Sequence, residues 1–245
     1  MTPLSPRSRF RIPPVLRERI PPAPRGRRGR LFTGLAVALV LTAAFAGALS
    51  RCGAGDPEPP TVPWKDGSTH GRWLSVFNGH GTNIGDDDAL SLSPRPAEDP
   101  GTTHAGLVVS TASYTDVRYE ARMRTEKQLR EPTPNPWEVP WLVWAYTDPE
   151  HFYYITLKPN GWELGKRDPA YPGGQRFLAT RHGTYPVGDW SDVRVEQRGA
   201  TMKVTVDDKP LVTFTDPERP YGAGRVGAYS EDAAVTFEEL KASSG

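Results

Sequence analysis

WEVPWLVWAYTDPEHFYYITLKPNGWELGK, residues 137–166, is the stretch that decides the fold of this chain. Two runs in it, Trp141–Tyr146 and Phe152–Leu157, are rich in aromatic and β-branched residues, which favour β-strands. Asn160 and Gly161 follow the second run, and this pair is a strong hairpin signal because a type I′ turn needs a positive φ at both central residues. The stretch therefore predicts the middle of an antiparallel sheet.

From Gly71 onward the sequence continues as short runs of this kind, separated by turn residues. We predict about thirteen strands and no helix in this part of the chain. Their predicted bounds are Trp73–Phe77, Ala89–Ser93, Gly106–Ser110, Val117–Thr125, Trp141–Tyr146, Phe152–Leu157, Trp162–Lys166, Arg176–Thr180, Asp192–Gln197, Thr201–Asp207, Lys209–Thr215, Gly224–Ser230 and Ala233–Leu240. Many short strands at this spacing predict an all-β fold, either a two-sheet antiparallel sandwich or a barrel.

The N-terminal part has a different composition. Residues 1–30 hold nine Arg and a single Glu, so the net charge of +1 conceals a basic tail and an acidic remainder. The tail is rich in Pro and lacks apolar periodicity, which predicts disorder. Because the excess positive charge is confined to the tail, the body is not predicted to bind nucleic acid.

Leu31–Leu49 is an uncharged apolar run, and its length suits a membrane crossing, which takes roughly 20 residues. We expect one hydrophobic helix over residues 31–50, with its Arg-rich side in the cytoplasm. It is a single-pass transmembrane anchor, a cleaved signal peptide or, since Leu49–Cys52 resembles a lipobox, the leader of a lipoprotein. Arg51 stands where a lipobox needs a small residue, which counts against lipidation. Each alternative places the body outside the cytoplasm, membrane-anchored or secreted.

Residues 51–70 are rich in Pro, Gly and Asp, which predicts a linker, and we expect Trp64 and Cys52 to lie in it outside the fold. The folded domain is then predicted over residues 71–243. Cys52 is the single cysteine, which excludes an intrachain disulfide. The five His residues show no metal-ligand spacing, so no zinc site is expected.

Five segments of the domain occur in the order found in a known family: Trp144–Asp148, His151–Ile155, Trp190–Glu196, Val204–Leu211 and Gly224–Ser230. Together they resemble the concanavalin A-like jelly roll, in the branch with laminin-G-like sugar-binding modules and 3-keto-disaccharide hydrolase (family-16-like) domains. The segments Asn135–Val139 and Lys158–Lys166 are similar to a pair found in secreted actinobacterial proteins, some of them labelled calcium-binding. The resemblance implies a two-sheet jelly-roll sandwich and recognition of a polysaccharide or oligosaccharide.

In such folds the ligand lies across the outward face of a concave sheet. The resemblance implies that Leu142, Trp144 and Tyr146 point inward and that Trp141, Val143 and Ala145 point outward. Extended by strand alternation, it predicts these outward ligand-binding residues: Glu120, Arg122, Trp141, Tyr154, Lys158 and Glu163. An outward Trp can stack on a sugar ring, and charged side chains can hydrogen-bond to its hydroxyl groups. The alternative is a solvated sheet face with cross-strand salt bridges.

An enzymatic function stays open at this point. Retaining family-16 glucanases carry Glu-x-Asp-x-x-Glu on one strand, and no Glu-x-Asp occurs in this chain. The remaining catalytic candidates for a glycoside hydrolase are Glu120 paired with Glu138 or with Glu163. A polysaccharide lyase acting on a uronic acid would use Lys158 or Tyr154 as its base.

The resemblance also implies a structural calcium ion where the first and last strands of the jelly roll meet. The residues that would hold it are Asn78, Gly79, Asp232 and Glu238. A separate acidic run, Asp86–Asp88, lacks the ligand spacing of an EF-hand loop and is equally well explained as a solvated turn.

Overall fold

The computed structural model describes residues 62–245 and shows an all-β domain of two antiparallel sheets. All thirteen predicted strands are present, and the described residues contain no α-helix, only a 3-10 turn at Pro172–Gly174. Three short strands were not predicted: Thr69–His70, Thr82–Gly85 and Tyr114–Thr115. They are two to four residues long, too short for alternation to be read from the sequence.

The strands are labelled in chain order. Their bounds are β1 Thr69–His70, β2 Trp73–Phe77, β3 Thr82–Gly85, β4 Leu90–Ser93, β5 Ala105–Ser110, β6 Tyr114–Thr115, β7 Val117–Gln128, β8 Trp141–Asp148, β9 His151–Lys158, β10 Gly161–Arg167, β11 Gln175–Arg181, β12 Ser191–Arg198, β13 Thr201–Val206, β14 Lys209–Thr215, β15 Ala223–Glu231 and β16 Ala233–Ser244. The hairpin predicted from Asn160 and Gly161 joins β9 to β10, which pair from Lys158 and Gly161 onward.

One sheet has nine strands, in the order β1-β2-β5-β15-β8-β9-β10-β11, with β6 also paired to β15. The other has seven strands, in the order β14-β13-β12-β7-β16-β4-β3. Within each sheet, strands distant in sequence are neighbours, because the chain crosses repeatedly between the sheets, as in a jelly roll. The predicted all-β, two-sheet antiparallel sandwich is confirmed.

The space between the two sheets is filled by fully buried side chains, the largest of which include Trp73, Tyr119, Trp144, Tyr153 and Phe237. In β7 every second residue from Val117 to Met123 is buried, and the charged residues between them point away from the core. Trp144 donates its indole N–H to the side-chain oxygen of Gln197 at 2.8 Å, so its polar atom is satisfied inside the core.

The outward face of the nine-stranded sheet departs from the prediction at Ala145. This residue has a φ of 51°, and the pairing of β8 with β9 shifts register after Trp144. A positive φ at a non-glycine residue within a strand marks a bulge, which reverses the alternation beyond it. Leu142 and Trp144 point inward as predicted. Ala145, however, joins the inter-sheet core and Tyr146 lies on the outward face, the reverse of the prediction.

This outward face is itself apolar. The buried side chains on it are those of Leu107, Val109, Val139, Trp141, Val143, Tyr146, Phe152 and Tyr154. Half-buried side chains, among them Trp137 and Tyr229, pack against them. The nine-stranded sheet therefore buries apolar side chains on both of its faces, because the segment before β8 lies over its outward face.

The folded domain begins before Gly71. Trp64 is buried in the core, its ring stacks on His70 with centroids 4.5 Å apart, and its amide donates to the Asn83 carbonyl at 2.8 Å. The prediction that Trp64 lies in a linker is wrong, because one aromatic residue among prolines offers no periodicity to read. Cys52 and the apolar run predicted to cross a membrane lie outside the described residues. Within the described residues, no helix is long and apolar enough to span a bilayer.

Candidate functional site

Four neighbouring strands of the nine-stranded sheet align outward side chains in one row. Tyr229 of β15 pairs with Trp141 of β8, and Trp141 pairs with Thr156 of β9. Thr156 pairs in turn with Glu163 of β10. Directly paired residues lie on the same face of a sheet, so this row places aromatic and acidic side chains together on the outward face.

Aromatic rings fill the centre of this face. Trp141 stacks on Tyr154 with ring centroids 4.3 Å apart, and Tyr229 meets Trp141 edge-on at 5.3 Å. Phe152 lies 6.5 Å from the Tyr154 ring and 6.3 Å from the Tyr229 ring. Ring pairs in such offset and edge-on arrangements add about 0.5–1.5 kcal/mol each beyond the burial of their area. The four rings form a preorganised apolar floor, which we call the aromatic floor.

The hydroxyl group of Tyr154 joins the aromatic floor to polar residues. It donates to Glu163 Oε1 at 2.6 Å and accepts from Gln175 Nε2 at 2.6 Å. Lys158 Nζ donates to Glu163 Oε2 at 2.8 Å, so both oxygens of this carboxylate are engaged. Burial raises the pKa of Tyr154 well above 10, and the Glu163 charge adds to the rise, so the phenol keeps its proton and acts as a donor.

Gly165 makes room for this arrangement. It pairs directly with Tyr154 across the β9–β10 ladder, and a Cβ atom at this position would lie 2.3 Å from the Tyr154 hydroxyl oxygen. Real Cβ contacts are essentially never shorter than 3.0 Å, so any other residue here displaces the Tyr154 ring. The glycine that follows Leu164 is therefore a local requirement of the site.

Glu231, at the end of β15, is a buried carboxyl group to which no cation of the described residues is bonded. The Tyr229 hydroxyl donates to its Oε1 at 2.5 Å. Burial raises the pKa of Glu231 to about 7, the Tyr229 hydrogen bond and the positive charge of Arg167 oppose the rise, and the carboxylates of Asp232 and Glu138 add to it. Glu231 is therefore protonated in part at neutral pH.

The two carboxylates that add to this rise share one arginine. Arg130 donates to Glu138 Oε1 at 2.5 Å and to Asp232 Oδ2 at 2.6 Å, and all three side chains are buried. Arg130 and Glu138 belong to the segment 129–140, which precedes β8, whereas Asp232 follows β15 directly. The ion pairs thus hold this segment against the end of β15, beside the aromatic floor. Both ion pairs of Arg130 are with these two carboxylates, and neither is with Glu231.

Two residues of the site were not anticipated from the sequence. Phe177 of β11 pairs with Gly165 and is 56% exposed. Arg167 of β10 pairs with Gln175, and its guanidinium forms no ion pair with a described residue. The pairing of β10 with β11 shifts register between Leu164 and Gly165, which turns Phe177 outward. Such a bulge cannot be read from alternation, and it is the reason that Phe177 was missed.

Four of the predicted ligand-binding residues come together on this face: Trp141, Tyr154, Lys158 and Glu163. The other two, Glu120 and Arg122, lie on β7 in the seven-stranded sheet, whose outward face is on the opposite side of the sandwich. The prediction that all six share one face is wrong, because alternation gives the two faces of a strand but not the sheet to which the strand belongs. That the first four bind a glycan stays a prediction.

Glu120 and Arg122 belong instead to a charged surface. Arg118 forms an ion pair with Glu120 at 2.5 Å, and Arg122 lies 3.8 Å from both Asp192 and Glu238. Ion pairs on exposed surfaces contribute about 0–1 kcal/mol each. This surface is the solvated face with cross-strand salt bridges that the sequence offered as the alternative.

Trp141 points outward as predicted, but it is not an exposed platform for stacking. It is 3% exposed, with Tyr154 and Tyr229 against its ring. Its indole N–H donates to the Trp137 carbonyl at 3.0 Å, so the segment before β8 closes over it. On the same face the ring of Phe177 is exposed and that of Tyr229 is half-buried.

The predicted catalytic pairs are wrong. Glu120 is separated from Glu138 and Glu163 by the whole thickness of the sandwich. Glu138 is buried and bonded to Arg130, and Glu163 is engaged by Lys158 and Tyr154. Burial raises the pKa of Glu231 on this face to about 7, and it also raises the pKa of the adjacent Asp232. The sequence gives no signal for it, because burial depends on contacts between residues that are distant along the chain.

The residues predicted to hold calcium do not form a shared site. Glu238 lies on the outward face of the seven-stranded sheet, 3.8 Å from Arg122. The two carboxylate oxygens of Asp232 are taken by the Arg130 guanidinium and the His104 amide. Within the described part of the chain, no group of three His, Cys, Asp or Glu is arranged to hold a metal ion. These residues do not fit calcium, which needs six to eight oxygen ligands free to face it.

The other two predicted calcium ligands and the acidic run have structural roles in turns. Asn78 Oδ1 accepts from the His80 amide at 3.0 Å, and Gly79 adopts a positive φ of 64° that allows the turn after β2. In the run Asp86–Asp88 the Asp86 carboxylate accepts the Ala89 amide at 2.9 Å, which closes the turn between β3 and β4. The side chains of this run are exposed, as expected for a solvated turn.

The sequence model of a family described as 3-keto-alpha-glucoside-1,2-lyase-like domain matches residues 61–242. The fold is similar to that of a carbohydrate-binding module from Bacillus subtilis, with a TM-score of 0.53 and 16% identity over 72% of this chain and 98% of the module. No curated protein matches the sequence.

The fold is also similar to that of a second solved structure, from a study of endo-acting O-glycanases that prominent members of the human gut microbiota express to initiate mucin breakdown. The similarity has a TM-score of 0.52 and 13% identity, over 77% of this chain and 96% of that one. At these identities the similarity to the two structures shows the fold of this chain.

Proposed function

The chain belongs to the family of 3-keto-alpha-glucoside-1,2-lyase-like domains, and on this premise we propose that it binds a carbohydrate on the outward face of its nine-stranded sheet. Its jelly-roll fold is that of carbohydrate-binding and glycosyl-hydrolase-like domains. The observation that carries the proposal is the meeting of the aromatic floor with the hydrogen-bonded group of Tyr154, Glu163 and Gln175. Sites for flat polar ligands combine apolar surface with a few fixed polar groups in this way.

The ligand is expected along β10 and β11, where these groups reach the surface. Phe177 offers an exposed ring for stacking on the apolar face of a sugar, and it pairs across the sheet with Gly165, against which the Tyr154 ring packs. Gln175 is half-buried, and its amide is already oriented by the bond to Tyr154, so its remaining hydrogen-bonding groups face a ligand without reorganisation.

Binding is tested by titrating the full-length chain with a panel of oligosaccharides and measuring the heat of binding. Phe177→Ala is expected to lower the affinity at least tenfold, because stacking aromatics dominate such sites. The matched control is Trp190→Ala, which removes a half-buried aromatic side chain from the opposite face, where it stacks with Arg122 and Arg124. Loss of binding in Trp190→Ala with none in Phe177→Ala would contradict the proposal.

Cleavage of a glycosidic bond is a second candidate function, favoured by two carboxyl groups in contrasting surroundings on this face. Glu163 is bonded to the Lys158 ammonium group, whereas burial raises the pKa of Glu231 to about 7. Carboxyl groups whose surroundings differ in this way are typical of acid–base pairs. New reducing ends or unsaturated products from a glycan that binds, lost in Glu231→Gln, would establish cleavage. Binding without product would leave recognition alone.

We also propose that the domain lies outside the cytoplasm, held by the apolar run of residues 31–49 or released from it. The run and the Arg-rich residues before it support this location. Protease added to intact cells is expected to digest the domain. Digestion only after lysis would contradict this location.

A further inference from the structure

The outward face of the nine-stranded sheet holds arginines without acid partners. Most arginines of the described chain form ion pairs with carboxylates, and among those that do not, Arg181 and Arg198 are exposed. The half-buried ones are Arg167 and Arg225, and both lie on this face. Arg225 of β15 pairs with the outward Tyr146 of β8. Arg167 of β10 pairs with the outward Phe152 of β9, whose ring centroid lies 6.1 Å from that of Tyr146.

We propose that the carbohydrate bound on this face contains uronic acid and that Arg167 binds its carboxylate group. This inference rests on the proposed carbohydrate-binding function. A guanidinium group offers two parallel N–H donors that match the two oxygens of a carboxylate. The cross-strand partner of Arg167 is Gln175, whose side chain extends the set of fixed donors towards Tyr154.

The acidic groups around Arg167 do not compete with such a ligand. Glu163 is bonded to Lys158, while Glu138 and Asp232 are bonded to Arg130. Each of these carboxylates is therefore compensated within the protein. The remaining carboxyl group of the face is that of Glu231.

Glu231 is surrounded by charged and titratable groups from each element packed against it. Tyr229 and Asp232 come from its own strand end, Arg167 from β10 and Glu138 from the segment before β8. Tyr154 of β9 is sensitive to its charge as well. Because burial raises the pKa of Glu231 to about 7, it carries little negative charge below neutral pH. Under those conditions Arg167 supplies uncompensated positive charge on this face.

The site then has a pH signature. As the pH rises through 7, Glu231 ionises and its charge both attracts Arg167 and repels a bound carboxylate. Affinity for a uronic acid oligosaccharide is therefore expected to fall between pH 6 and pH 8.5. A neutral sugar has no charge to repel, so its affinity is expected to stay constant over the same range.

Arg225 extends the inference to longer ligands. The strand containing it lies three positions away from β10 in the sheet. With neighbouring strands about 4.8 Å apart, the backbones of the two arginines lie roughly 14 Å apart. An oligosaccharide with repeated carboxylates is long enough to reach both and is the expected occupant.

The experiment measures binding of three tetrasaccharides to the full-length chain by calorimetry: tetragalacturonic acid, cellotetraose, and a sulfated tetrasaccharide without carboxylates. Tetragalacturonic acid is expected to bind at least tenfold more tightly than cellotetraose at pH 6. Arg167→Gln is expected to remove this preference. Arg167→Lys is expected to retain part of it, since the positive charge stays but the two parallel N–H donors are lost. Arg181→Gln, an exposed arginine on the adjacent strand, is the matched control and is expected to change nothing.

The pH dependence provides an independent readout. Glu231→Gln is expected to bind tetragalacturonic acid equally at pH 6 and pH 8.5, whereas the unmodified chain loses at least threefold. Equal binding of cellotetraose and tetragalacturonic acid, unaffected by Arg167→Gln, overturns the inference and leaves carbohydrate binding standing. Preference for the sulfated tetrasaccharide overturns the assignment of uronic acid. If none of the three binds, and no other oligosaccharide binds either, the proposed function is overturned as well.

Discussion

The outward faces of the two sheets have opposite chemistry, although both sheets pack on the same core. The nine-stranded sheet holds Trp141 and Tyr154 almost fully buried on its outward side. The seven-stranded sheet holds rows of Arg and Glu there, with Arg122 and Arg124 stacked on Trp190 at 4.7 and 4.4 Å from its ring. A sheet face that is exposed to solvent needs only polar side chains on it. Aromatic rings buried on such a side therefore indicate a function or a covering element rather than a need of the core.

Buried apolar contacts stabilise the outward face of the nine-stranded sheet, whereas exposed ion pairs stabilise that of the seven-stranded sheet. Burying a large apolar side chain stabilises a fold by about 1.5–3 kcal/mol, whereas an exposed ion pair contributes about 0–1 kcal/mol. Substitutions on the two faces should therefore differ in size as well as in their effect on binding. Four experiments test this difference, beginning with the largest expected effect.

Trp141→Ala should lower the free energy of unfolding by about 3–5 kcal/mol, the typical cost of truncating a buried Trp. Trp141 is 3% exposed and contacts Tyr154 and Tyr229, so its removal leaves a cavity on the outward face. Urea denaturation measures the change, with Trp190→Ala on the opposite face as the control. Equal losses for the two variants would mean that the faces do not differ in stability.

Glu231 should make the stability of the domain depend on pH. Burial raises its pKa in the folded protein from 4.5 to about 7, so the folded state holds the proton more tightly than the unfolded state does. This contribution is fully present below pH 4.5 and is lost as the pH rises through about 7. At 1.36 kcal/mol per unit, the loss is on the order of 3 kcal/mol.

Glu231→Gln isolates this effect, because the amide cannot ionise. Denaturation at pH 4.5, 6 and 8 should show the unmodified protein losing stability relative to the variant as the pH rises. Curves that stay parallel from pH 4.5 to pH 8 would show that Glu231 ionises normally in the folded protein.

The sequence predicted the fold far better than the site, and particular residues show why. Alternation along β7 and β9 separates inward from outward side chains correctly, because the period of two is a property of each strand by itself. It cannot place Glu120 and Trp141 on opposite sides of the sandwich, because sheet membership depends on pairing between distant strands. The bulge at Ala145 likewise has no signature in the run that contains it.

Burial was the second property that the sequence could not supply. Trp141 was expected to be accessible, and it is covered because Trp137 and the ion pairs of Arg130 hold the preceding segment over it. Burial likewise raises the pKa of Glu231, a glutamate at the end of a strand, to about 7. Both effects arise from contacts between residues far apart in sequence.

Gly165→Ala should disturb the aromatic face with a smaller loss of stability, about 1–3 kcal/mol, as is typical of overpacking. The new methyl group would lie 2.3 Å from the Tyr154 hydroxyl oxygen, so the ring must move and its bonds to Glu163 and Gln175 must break. Glycan affinity is expected to fall together with stability, measured by calorimetry and urea denaturation. Gly222→Ala is the control, because a Cβ atom there meets nothing within 4 Å. Unchanged affinity in Gly165→Ala would remove Tyr154 from the binding site.

Arg122→Gln should have the smallest effect, a change of about 0–1 kcal/mol in the free energy of unfolding. The Arg122 side chain is 39% exposed, and its carboxylate neighbours Asp192 and Glu238 lie 3.8 Å away, so water replaces both contacts when the charge is removed. Raising the salt concentration should reduce even this difference, because exposed charges are screened. Glycan affinity should be unchanged, since Arg122 points away from the aromatic floor on the other side of the sandwich. A variant that folds normally but binds no glycan would move the site to the charged face, and the distinction between the two faces would then reverse.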